Sequence, residues 1–98
     1  MTIIRHVLIR GRVQAVGYRA WTQSMALHRG IVGWVRNRRD GTVEAVFAGK
    51  ADAVAAMIAA CRHGPPGAEV DAIDEREAAQ EEFDCCRPGE RFSVIPTV

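Results

Sequence analysis

"IVGWVRNRRDGTVEAVFAG", residues Ile31–Gly49, sets two β-branched, aromatic-bearing stretches, "IVGWVRN" and "TVEAVFAG", around a short polar interval. Asp40-Gly41 within that interval is a hairpin signal, because a tight reversal between strands favours residues that accept positive φ. Two antiparallel strands are predicted. On the N-terminal side, "YRAWTQSMALHR", from Tyr18 to about Arg29, contains neither Pro nor Gly and spaces Tyr18, Trp21 or Thr22, Met25 and His28 at helical intervals. Gly30 is its expected stop, since only glycine takes the left-handed conformation there without steric cost. On the C-terminal side, "KADAVAAMIAACRH" carries Val54, Met57, Ile58 and Cys61 along one stripe, a second amphipathic helix that "GPPG" at residues 64–67 terminates.

Further strands lie beyond both helices. "IIRHVLIR" alternates Ile3, Val7 and Ile9 against His6, Leu8 and Arg10, a first strand. "AEVDAIDE" reads as a fourth strand and "RFSVIP" as a short fifth. For the charged stretch between them, "REAAQEEFDCCRPGE", the expectation is a strand end running into an exposed loop. The order β-α-β-β-α-β plus a terminal strand is that of an α+β, ferredoxin-like sandwich: an antiparallel sheet with two helices on one face. Residues 1–98 suit a single domain with one core.

Composition narrows the setting. Hydrophobic residues make up 48% of the chain and charged residues 26%, ordinary values for a soluble protein. No run approaches the ~20 apolar residues of a membrane span, and Arg5, His6 and Arg10 interrupt the start. A cytoplasmic location without membrane partners is the expectation. Cys61, Cys85 and Cys86 form neither an even framework nor a C-x-x-C spacing, which argues against a structural disulfide and suits a reducing compartment. Residues 1–50 carry nine basic and two acidic side chains, residues 51–98 four and ten. That segregation fits either an anionic ligand at the first half or pairing between the halves.

The usual catalytic and binding machinery is missing. Neither Ser24 nor Ser93 sits in a G-x-S-x-G elbow, and His6, His28 and His63 have no metal-ligand spacing, so no metal is expected. "GRVQAVGYR", Gly11–Arg19, is neither a Walker A loop nor G-x-G-x-x-G. Yet it reads as strand, glycine-bounded loop and helix start, where backbone N–H groups and the helix dipole form an anion-binding concavity. Arg19 in the first helical turn can fold over that concavity and donate two parallel hydrogen bonds to a phosphate, or remain an exposed surface cation. Asn37 at the end of the second strand can orient a water molecule, or simply satisfy the turn backbone.

These stretches, with "TQ" (residues 22–23), "GIVGWVRN" (30–37), "DGTVE" (40–44), "GPPGAEVD" (64–71) and "FSVIPT" (92–97), resemble the acylphosphatase family over nearly the whole chain. The resemblance implies hydrolysis of the carboxyl–phosphate bond of acyl phosphates, without metal or cofactor, to a carboxylate and inorganic phosphate. It carries phosphate binding onto Arg19 and water positioning onto Asn37. It further implies that the amides of Gln14, Ala15, Val16, Gly17 and Tyr18 cradle the phosphate, and that inorganic phosphate is product and competitive inhibitor. A monomer is the default for so small a fold.

Two substitutions and one segment depart from the family pattern. Ala15 stands where glycine is usual, and a positive φ there would strain the loop by ~1–2 kcal/mol. Arg29 replaces an apolar residue at the close of the first helix, and residues 76–91 match no family motif. The alternative reading is a catalytically impaired acylphosphatase-like binding module, with Ala15 as the lesion. A nucleic-acid-binding sheet is disfavoured, because "TVEAVFA" has only Phe47 and lacks the aromatic spacing that stacks bases.

Overall fold

Alternation along the first strand sorts its side chains between two faces, with Val7 and Ile9 fully buried. The computed structural model describes residues 2–98. The strand, β1 (Thr2–Arg12), leads into α1 (Tyr18–His28); β2 (Val32–Asn37) and β3 (Val43–Lys50) form the expected hairpin, followed by α2 (Ala51–Cys61). Then come β4 (Glu69–Glu77), a one-turn α3 (Gln80–Phe83) and β5 (Phe92–Val94). The sheet order is β4-β1-β3-β2-β5. Pairings β1/β3, β1/β4 and β2/β3 are antiparallel, whereas β5 lies parallel to β2, so the sheet is mixed rather than wholly antiparallel.

The side chains of α1 and α2 close over one face of the sheet. From α1 come Tyr18, Thr22 and Ala26, at i, i+4 and i+8, and from α2 the predicted stripe Val54, Met57, Ile58 and Cys61. The stripe on α1 is rotated from the one expected, leaving His28 exposed. Val35, Val43, Ala45 and Phe47 meet these helices from the sheet, and Phe47 stacks on Phe92 of β5 with ring centroids 5.9 Å apart.

Two segments differ from their expected form. Gly11 lies within β1, not at the mouth of a loop: a bulge falls between Arg10 and Gly11, and Gly11 has φ 127. A Cβ there would collide with the Glu69 carbonyl of β4, so this glycine permits close strand approach. The stretch after β4 is not simply an exposed loop. Residues Gln80–Phe83 form a helical turn whose Ala79 amide is capped by the Glu82 carboxylate at 2.8 Å. The turn packs on the sheet face opposite α1 and α2, where Phe83 and Cys86 join Trp34, Val46 and Ile95, and the Trp34 indole N–H donates to the Glu82 carbonyl at 2.7 Å. Burying that tryptophan requires an acceptor for its N–H, and the turn supplies it.

Candidate active site

Between β1 and α1 the chain leaves the sheet at Val13 and turns through residues 14–17 into the helix. Ala15 has φ 61, the one positive φ of a non-glycine residue among those described, and Gly17, which precedes the first helical residue, has φ 78. Among the described residues, the amides of Gln14 to Arg19 make no hydrogen bond to a protein acceptor. Those from Tyr18 onward belong to the first turn of α1, where no intrahelical acceptor exists. The loop therefore presents free donors beside the positive end of a helix dipole.

The loop is fixed from both ends. Gln14 points its side-chain amide away from those donors and into the β2–β3 turn, donating to the carbonyls of Arg38 at 2.6 Å and Thr42 at 2.8 Å. Tyr18 is buried, and its hydroxyl donates to the Cys61 carbonyl at the end of α2. Burial, with Cys61 beside it, pushes the Tyr18 phenol above its ordinary range, so it stays protonated and acts as a tether. Burial likewise raises the Cys61 thiol to about 12, which leaves it an inert core group.

A cavity of about 210 Å³ opens over the loop, lined by Val13, Ala15, Gly17, Tyr18, Arg19, Ala20, Gln23, Asn37 and Val94. It brings together five of the seven residues singled out from the sequence: Ala15, Gly17, Tyr18, Arg19 and Asn37. Gln14 and Val16 do not line it, Gln14 being committed to the β2–β3 turn. The Arg19 side chain makes no ion pair or hydrogen bond with a described protein group. Asn37, the last residue of β2, is held by pairing with Val43 and by the Val98 amide donating to its carbonyl at 3.3 Å. Its side-chain Oδ1 is buried and has no partner among the described residues. A buried amide oxygen without a donor is costly unless something else supplies one, and this oxygen belongs to a residue of the cavity wall.

Gln23 and Val94 were not assigned roles from the sequence. Gln23 follows Arg19 by one helical turn and donates to the Phe92 carbonyl at 2.9 Å, drawing α1 onto β5. The spacing from Arg19 to Gln23 was the available signal. Val94 reaches the cavity only because β5 runs parallel to β2, which no local pattern announces.

The arrangement sets free backbone amides and an unpaired guanidinium beside the residue whose amide oxygen can accept a hydrogen bond from water. The family model described as Acylphosphatase matches residues 5–93. The chain is 57% identical over 96 residues to an acylphosphatase of Nitrobacter hamburgensis, covering 98% of this chain and 97% of that one. It is 57% identical over 95 residues to an acylphosphatase of Bradyrhizobium diazoefficiens, covering 97% and 96%. The crystal structure of acylphosphatase from Bacillus subtilis superposes with a TM-score of 0.82 at 33% identity, covering 97% of this chain and 99% of that chain.

Proposed function

The chain belongs to the acylphosphatase family, an enzyme that hydrolyses acyl phosphates, and from that premise we infer that the cavity over the β1–α1 loop is its active site. The loop amides from Gln14 to Tyr18 and the Arg19 guanidinium hold the phosphoryl group, with Gln14 contributing through its backbone only. Phosphoryl transfer is mostly positioning and charge stabilisation, and fixed N–H donors with one bidentate arginine supply both. Water, donating a hydrogen bond to Asn37 Oδ1, attacks phosphorus; the P–O bond to the acyl group breaks and the carboxylate departs. A carboxylate leaves readily, so no general acid is needed. The water proton passes to a phosphate oxygen of the substrate, because the residues that line the cavity include no carboxylate or imidazole to take it. Neither metal nor cofactor enters this scheme.

The observation that carries the reading is the buried, unpartnered Oδ1 of Asn37, a residue that lines one cavity with an unpaired Arg19 and the start of α1. Its test is hydrolysis of benzoyl phosphate in the presence of chelator. Turnover should persist, inorganic phosphate should inhibit competitively, and Arg19→Ala and Asn37→Ala should each lose ~10²-fold or more in kcat/KM. A folded variant that kept near wild-type kcat/KM would remove that residue's role. The pH–rate profile should follow substrate ionisation, and a protein group titrating near 7 would count against substrate-assisted proton transfer.

Ala15 at φ 61 favours a second reading, a strained loop that binds phosphate without efficient turnover; absence of hydrolysis by the wild type would select it. We also place the protein in the cytoplasm as a monomer with no nucleic-acid or membrane partner. No described helix is long and apolar enough to cross a membrane, and only Leu27 and Val98 are large apolar side chains exposed among the described residues. Sedimentation at a mass above 10.7 kDa would contradict the monomer.

A further inference from the structure

The sheet face turned away from the cavity holds a carboxylate that the reaction scheme does not use. Glu44 on β3 is 8% exposed and surrounded by three basic side chains from two other segments. Its Oε2 lies 2.7 Å from His6 Nε2 on β1, while its Oε1 accepts Arg36 Nε at 2.7 Å and Arg38 Nη1 at 3.1 Å. Arg36 and Arg38 are the chain neighbours of Asn37. Since side chains alternate across a strand, the two arginines reach the outer face while Asn37, between them, faces the cavity. The register places Arg36 opposite Glu44 and Asn37 opposite Val43.

We propose that Glu44 is a positioning residue for hydrolysis: one carboxylate oxygen grips the guanidinium groups on both sides of Asn37, and so fixes the direction of the Asn37 amide within the cavity. Burying a carboxylate is costly unless each partner is in place, and the same sheet face carries apolar Val46 and Ala48 two and four residues on. A charge kept at position 44 has a geometric consequence that a valine there would lack. Displacement of a reacting group by about 1 Å can lower the rate ~10²-fold, which makes such a grip matter.

The proposal rests on Asn37 orienting the water, and the experiment separates the two. Glu44→Gln keeps the side-chain size but removes the charge that holds two guanidinium groups. Its kcat on benzoyl phosphate should fall ~10-fold or more, with the inhibition constant of inorganic phosphate unchanged, because the loop and Arg19 are untouched. In an Asn37→Ala background the same substitution should change kcat less than about twofold, since residues acting through one another are not additive. An equal loss in both backgrounds, an unaffected kcat, or a matching loss of phosphate affinity would overturn the proposal while leaving the role of Asn37 intact. Wild-type kcat in Asn37→Ala alone would remove both. If Glu44→Gln does not fold by near-ultraviolet circular dichroism, Arg38→Ala carries the same cycle, its side chain being 38% exposed and Glu44 retaining His6 and Arg36.

Discussion

A methyl group at φ 61 is the most informative atom group in the phosphate loop. Ala15 occupies the left-handed region where a Cβ crowds the following carbonyl, at a cost of ~1–2 kcal/mol, and it sits on the cavity wall. The family resemblance and the residue type made this strain legible in advance. Ala15→Gly relieves it but adds freedom to the unfolded chain worth ~0.4–1 kcal/mol. Urea denaturation should therefore show a net gain of up to ~1.6 kcal/mol, and the phosphate inhibition constant should tighten. An unchanged or weaker constant would mean that the strained loop holds its amides correctly. Asn37 was less legible: an asparagine before a turn has many uses, and only its buried, unpartnered oxygen distinguishes this one.

Elements were read well where their own periodicity defines them and poorly where a distant contact does. The hairpin, both long helices and the stripe on α2 follow from local pattern. The turn at Gln80–Phe83 depends on Trp34, 48 positions away from Glu82, whose carbonyl receives the indole. The parallel direction of β5 depends on the path of residues 78–91 across the outer face. Between elements, the Gln14 side chain joins the loop to the hairpin turn. Gln14→Ala should lower stability by only about 1 kcal/mol, because the Arg38 and Thr42 carbonyls keep the amides of Gly41 and Arg38. Its kcat/KM should fall by more than that stability loss suggests, since the cradle and Asn37 are then held in register by fewer contacts; steady-state kinetics on the folded variant checks this.

Across the whole molecule, segregated charge is only slightly resolved by pairing between the halves. Arg10–Asp74 is the one ion pair among the described residues that crosses from the first fifty residues to the rest, at 2.8 Å and exposed; the others join groups within one half. Three carboxylates are nonetheless held below their ordinary values. Burial would raise Glu44, but hydrogen bonds from His6, Arg36 and Arg38 outweigh it and lower the group. Thr42 lowers Asp40 through its hydroxyl and amide. Arg76, with the Ala79 amide, brings Glu82 to about 2. Groups depressed in the folded state bind fewer protons there than when unfolded, so their stabilisation is complete above the ordinary value of 4.5 for glutamate and is lost as pH falls through the folded values. The urea midpoint should drop steadily below about pH 4.5, and Glu44→Gln should flatten that fall.

The edge strand β4 puts its carboxylates to a separate use. Its far side has no neighbouring strand, and within nine residues it carries Glu69, Asp71, Asp74, Glu75 and Glu77, all exposed. Two molecules that tried to add strand to strand along this border would set ten carboxylates against one another, so repulsion replaces the steric guard that a covering helix would give. Neutralising the border with Asp71→Asn and Glu75→Gln should therefore make concentrated protein precipitate at neutral pH where the wild type stays dispersed, with turbidity as the readout.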